Sequence, residues 1–205
     1  MVHINIICVG KLKEKYLREA IDEYSKRLSK YCELNIIEIN DEQLPNKINS
    51  STIEQIKKKE CEKIMENIKN DTYLIPLDLK GKQFTSEEFS SKIENIQVQG
   101  YSNITFIIGG TLGLTEEIIK RANETICFSK MTFPHQLIRV FLLEQIFRAF
   151  KISKNETYHW WFVNYGKLCY NSIVIFFVPL EIKIISEVQT SEWYKEVSLW
   201  TKKSI

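Results

Sequence analysis

Tryptophan is missing from the first 159 residues of this 205-residue chain. All four, Trp160, Trp161, Trp193 and Trp200, come after His159. So abrupt a change in composition divides the chain into a main body, residues 1–159, and an extension, residues 160–205. About 45 residues rarely build an independent core, so the extension reads as an appendage; a small second element packed on the body is the rival. Excess charge is missing too. The net charge is +2, so no overall basic field marks a nucleic-acid binder, and such a role must come from local patches. The five cysteines, Cys8, Cys32, Cys61, Cys127 and Cys169, are scattered, with neither CxxC nor zinc-finger spacing. They read as reduced structural thiols of a cytoplasmic protein, and no constellation of metal ligands is present. The longest pure apolar run, residues 173–178, falls far short of the ~20 residues that span a bilayer. The N-terminus lacks the basic-then-apolar layout of a signal peptide. Repeats and low-complexity segments are absent as well.

What is present is an alternation of strand and helix. Strands are expected at residues 2–9, 34–39, 73–79 and 104–108, with a brief fifth at 126–128. Helices are expected at 13–28, from 51 to about 68, from 85 to about 96, at 115–122 and at 137–150. Ser51-x-x-Glu54 and Thr85-x-x-Glu88 are capping-box patterns that open two of the helices. Residues 80–82, Lys-Gly-Lys, read as a turn. Alternating elements imply a parallel sheet with helices on both faces.

Two stretches stand out. The apolar strand at 104–108 runs into Gly109-Gly110-Thr111-Leu112-Gly113-Leu114, where glycines allow a sharp turn and close approach of backbone to a ligand. Phosphate loops carry glycines at similar spacing, but no Lys-Ser/Thr pair follows here. The second stretch opens Phe128-Ser129-Lys130-Met131-Thr132-Phe133-Pro134-His135-Gln136. Pro134 suits a first helical position. From 137 to 150 nearly every residue is apolar, which exceeds the single apolar face of a surface helix. Such a helix needs cover on two sides, its own sheet and something else, a second subunit or a terminal extension.

In order, the glycine loop, the Phe-Ser-Lys-Met-Thr-Phe-Pro-His-Gln run, Arg139, Glu144-Gln145, Arg148-Ala149, Tyr158-His159 and the opening Val9-Gly10-Lys11-Leu12-Lys13 resemble the RlmH family. These are small SPOUT-class methyltransferases of large-subunit ribosomal RNA. The resemblance covers residues 1–159 and stops there. It implies an α/β SPOUT fold with a C-terminal trefoil knot, a homodimer, and action on 23S ribosomal RNA within the assembled ribosome. S-adenosylmethionine is the implied methyl donor, and N3 of a pseudouridine the acceptor. By resemblance Leu77, Gly109 and Phe128, Ser129, Lys130, Met131, Thr132 and Phe133 bind the donor, while Tyr158 and His159 reach toward the target base from near the other subunit's donor.

Each residue also has a plainer reading. Leu77 at a strand end and the two phenylalanines suit a core, and a Gly-Gly turn suits any turn. Arg139 and Arg148 lie on a mostly apolar helix, where charge is rare without a partner. Pairing with Glu144 is one solution; for Arg139 phosphate contact and for Arg148 a role in catalysis are the others. His135 at a helix N-terminus is disfavoured from protonation by the dipole. Lys11, Lys13, Lys15 and Arg18 cluster around the first turn, as a solvated helix face or as phosphate contacts. Two other classes compete with the enzyme. One is a non-catalytic RNA- or ribosome-binding protein that keeps the fold, with activity impaired by the extension. The other is a different α/β enzyme that holds a nucleotide in the glycine loop.

Overall fold

The computed structural model describes residues 1–42 and 49–156. Its first strand, β1 (Val2–Val9), is buried at every position but His3, as expected of a strand covered on both faces. In chain order there follow α1 (Lys15–Leu28), β2 (Cys32–Ile39), α2 (Ser50–Glu66), β3 (Tyr73–Lys82), α3 (Ser86–Val98), β4 (Asn103–Ile108), α4 (Glu116–Arg121) and α5 (Leu137–Ser153). The four strands form one sheet in the order β2-β1-β4-β3, and every neighbouring pair is parallel.

Successive residues of a strand point to opposite faces, and the two faces bury different helices. Ile4, Ile6 and Cys8 of β1, with Ile104, Phe106 and Ile108 of β4, belong to a core shared with α1, α3 and α5. Ile7, Val9 and Ile107 belong to a second core shared with α2 and α4. The parallel sheet with helices on both faces is therefore as the sequence pattern implies. Connections step outward from β1 to β2, cross to β3, and return to β4 beside β1.

Several boundaries differ from expectation, each for a local reason. The cap of α2 is Asn49, whose side chain accepts from Thr52 N–H at 2.7 Å, so Ser51 lies inside the helix. The second capping box is formed as expected: Glu88 N–H donates to Thr85 Oγ1 at 3.2 Å and Thr85 N–H to Glu88 Oε2 at 2.8 Å. Residues 80–82 extend β3 instead of turning. Residues 126–128 add no fifth strand to the sheet; Ile126 makes only isolated bridges, to Leu77 and Lys82. Pro134 stands before α5, and its carbonyl accepts from Leu137 and Ile138 N–H at 2.9 and 3.1 Å.

Helix α5 is the spine of the first core. It packs against both α1 and α3 as well as the sheet. Tyr31 stacks on Phe150 with ring centroids 5.8 Å apart, and Ser90 Oγ donates to the Ala149 carbonyl at 2.7 Å. Its near all-round apolarity is thus largely met by three elements of its own chain, so apolarity alone does not require a second subunit. No helix of the described residues is long and apolar enough to cross a membrane. The composition boundary after residue 159 lies outside the described residues.

Candidate functional site

The carboxyl ends of β3 and β4 lie side by side, with Leu77 in register with Ile108. Beyond Ile108 the chain turns through Gly109-Gly110-Thr111-Leu112-Gly113. Gly113 N–H donates to the Gly110 carbonyl at 3.0 Å, and Gly113 adopts φ +74°, a left-handed conformation that favours glycine. Gly109 faces inward: a Cβ there would lie 3.1 Å from Leu114. Its lack of a side chain lets the loop fold back on itself, a different reason from the ligand clearance that the sequence suggests.

The third wall is the segment 126–134. It is fastened to the outer end of β3, where Lys82 N–H donates to the Thr125 carbonyl and Cys127 N–H to the Lys82 carbonyl, each at 2.9 Å. Gly81 makes this approach possible, since a Cβ there would sit 2.5 Å from the Ile126 backbone. Further on, Ser129 Oγ accepts from Met131 N–H at 3.0 Å and shapes the following turn.

These three segments and the start of α5 enclose a cleft of about 550 Å³, within the size range of small-ligand sites. Leu77, Gly109, Phe128, Ser129, Met131, Thr132 and Phe133 all line it. Lys130, expected among them, is exposed and does not line it. Asp78, Lys80 and His135 line it without having been singled out as ligands from the sequence. A glycine inside a strand is the signal that would have exposed the β3 wall, because it marks close backbone approach.

Beside the cleft runs the loop after β1. Gly10 (φ +90°) lies beneath His135, whose Nε2 is 3.4 Å from where a Gly10 Cβ would stand. Lys13 N–H donates to Gln136 Oε1 at 3.2 Å, and Leu12 N–H to Glu38 Oε1 at 3.1 Å. The loop is thereby tied to the start of α5, with Lys11, Lys13, Lys15 and Arg18 exposed. Burial, followed by the Arg139 and Lys13 charges, depresses the His135 pKa against the opposing pull of Asp41. The imidazole is therefore neutral near pH 7.

Both arginines have partners within their own chain. Arg139 is 1% exposed. Its Nη1 donates to Glu38 Oε1 at 2.7 Å, and its Nη2 to the Val9 and Gly10 carbonyls at 3.1 and 2.6 Å. Its two terminal nitrogens hold the loop after β1, while the buried Nε has no hydrogen-bond partner among the described residues. Arg148 donates to Glu144 Oε1 from Nε and Nη2 at 3.1 and 2.6 Å. It lies ten residues beyond Ile138, the last residue of α5 in the cleft lining. At ~1.5 Å rise per residue that is about 15 Å along the helix, so Arg148 is not at the cleft of its own chain. Tyr158 and His159 lie outside the described residues. No group of three or more His, Cys, Asp or Glu side chains among the described residues is placed to hold a metal ion.

A cleft at the strand ends is thus closed by a glycine turn and by the segment leading into a long apolar helix, and the sequence over residues 2–159 matches a family model described as "Predicted SPOUT methyltransferase". The chain belongs to this family of methyltransferases. Its relatives narrow the group. It is 60% identical over 158 residues to "Ribosomal RNA large subunit methyltransferase H 1" of Clostridium perfringens, 77% of this chain and 99% of the relative. The "Ribosomal RNA large subunit methyltransferase H" proteins of Clostridium botulinum and Clostridium acetobutylicum match over the same shares at 61% and 57% identity.

Proposed function

We propose that this chain transfers a methyl group from S-adenosylmethionine to N3 of a pseudouridine in 23S ribosomal RNA, acting as a cytoplasmic homodimer on the large subunit of the assembled ribosome. The observation that carries the reading is the convergence of Leu77, Gly109 and the 128–133 segment on one cleft, with a basic loop tied to its rim. Support for the ribosomal RNA substrate comes from the names of relatives matched over 99% of their length. The trefoil knot belongs to the same reading.

S-adenosylmethionine supplies an electrophilic methyl carbon bound to a sulfonium. The apolar walls Leu77, Ile108, Leu114 and Ile126 suit a purine face, and the 128–133 backbone offers amides for its edge. Transfer at an imide nitrogen would break N3–H and C–S and form N3–C, with nitrogen, methyl carbon and sulfur on one line, the proton passing to water and the sulfur leaving as S-adenosylhomocysteine. Most of the acceleration then comes from alignment. Neutral His135 at the cleft rim suits a hydrogen bond to the base, and Lys11, Lys13 and Lys15 suit phosphate contacts that carry no sequence information. Tyr158, His159 and Arg148 would complete the site of the partner subunit. In a dimer, placement away from the cleft of the same chain is no obstacle to such a role.

The test is transfer of radiolabelled methyl from S-adenosylmethionine to ribosomes from cells lacking the modification, followed by nucleoside mass spectrometry. Formation of N3-methylpseudouridine in large-subunit RNA is expected. Donor binding without transfer to any ribosomal substrate would favour the non-catalytic binding protein.

A further inference from the structure

We propose that Asp78 reads the ribose of the nucleoside in the cleft, its carboxylate accepting hydrogen bonds from the sugar hydroxyls; this rests on the S-adenosylmethionine reading above. Asp78 follows Leu77 in the outer part of β3, and it supplies the only carboxylate among the described residues that line the cleft. Its Oδ1 accepts from Lys80 N–H at 2.9 Å, which fixes the side chain in one orientation. The second oxygen makes no hydrogen bond to any described residue. Asp78 is half-buried at the wall of a cleft whose other sides are mainly aliphatic, aromatic or glycine. A half-exposed carboxylate at the cleft wall can exchange its water for donors of a ligand, and a nucleoside brings two adjacent hydroxyls.

The nucleoside's other strong donor group, the α-ammonium of the methionine part, fits this position less well. Lys80 lines the cleft two residues on, and its charge disfavours a second ammonium beside it while suiting the α-carboxylate. A carboxylate accepts only and has two oxygens, which matches a vicinal diol. The tie to Lys80 N–H costs one lone pair and leaves Oδ2 free for the ligand.

The experiment is calorimetry on the full chain with 5′-methylthioadenosine, which lacks the amino-acid part, and with its 2′-deoxy and 3′-deoxy counterparts. Wild type is compared with Asp78→Ser, whose hydroxyl can still accept from Lys80 N–H and keep the turn. Asp78→Asn serves in its place if thermal melting shows the serine variant unfolded. Loss of a hydroxyl should weaken wild-type binding roughly 10- to 100-fold, the range of a hydrogen bond to a charged group. The variant should bind all three ligands with nearly the same, weaker affinity. An equal loss on deoxygenation in wild type and variant overturns the proposal. So does a variant that binds 5′-methylthioadenosine normally but S-adenosylhomocysteine poorly, since that assigns Asp78 to the ammonium. Failure of wild type to bind S-adenosylhomocysteine overturns the S-adenosylmethionine reading itself, and the proposal with it.

Discussion

Arg139 and the loop lysines show how much a single residue's surroundings decide. Both kinds of cation are candidates for phosphate contact by type, but one is enclosed and the others are not. Arg139→Met removes the ties to Glu38, Val9 and Gly10. Glu38 stays in contact with solvent, but the Val9 and Gly10 carbonyls lose their donor, and a buried polar group left unpaired costs about 1–3 kcal/mol, so denaturant melting should show a loss of that size. The salt dependence of ribosome binding should stay as it is in wild type. Changing Lys11, Lys13 and Lys15 together to Gln should do the reverse. Stability should hold, and the log–log salt slope should flatten by about 2, given roughly 0.7 to 0.9 per phosphate contact. An unaltered slope would return the lysines to a solvated helix face. The sequence makes both arginines visible as charges on an apolar helix, yet it gives no means of pairing Arg139 with a strand residue 101 positions away.

At the scale of elements, the glycine turn, the strand before it and the helix after Pro134 are legible because each is local: a run of apolar residues, then a conformational release. The outer end of β3 is not, because its extension depends on a backbone segment some 44 residues later. Lys80-Gly81-Lys82 looks like a turn in isolation and is a strand because residues 125–127 lie against it. Gly81→Ala tests that dependence. A methyl group 2.5 Å from the Ile126 backbone must push the segment outward, and overpacking of this kind costs about 1–3 kcal/mol. Affinity for S-adenosylhomocysteine, measured by calorimetry, should fall along with the melting temperature. A lowered melting temperature with unchanged affinity would mean that segment 126–134 gives way elsewhere and does not set the cleft.

For the whole molecule, the match to the family model ends at residue 159, where tryptophan first enters the sequence. Every described residue lining the cleft precedes Tyr158, while Trp160 and Trp161 directly follow the pair proposed to handle the acceptor. The full chain and a chain stopped after His159 should therefore bind S-adenosylhomocysteine alike. Methyl transfer to ribosomes should be roughly 10- to 100-fold slower in the full chain, the loss that a small misplacement of reacting groups brings. Equal transfer rates would mark the extension as passive, and weaker donor binding in the full chain would mean that the extension disturbs the fold. Sequence reading separates the two parts by composition alone and reaches the layered sheet by periodicity. It cannot foresee that α1 and α3 flank α5.

The order of strands also sets a timetable for synthesis. β1 leaves the ribosome first and finds β2 within about thirty residues, but its other neighbour, β4, begins at Asn103. Throughout that interval the strand destined for the middle of the sheet has one row of amides and carbonyls unpaired and one apolar face uncovered, since α5 arrives later still. Contacts so distant along the chain slow folding, and exposed edges of this kind invite association with other chains. The core shared by α1, α3 and α5 can therefore close only once α5 has been made.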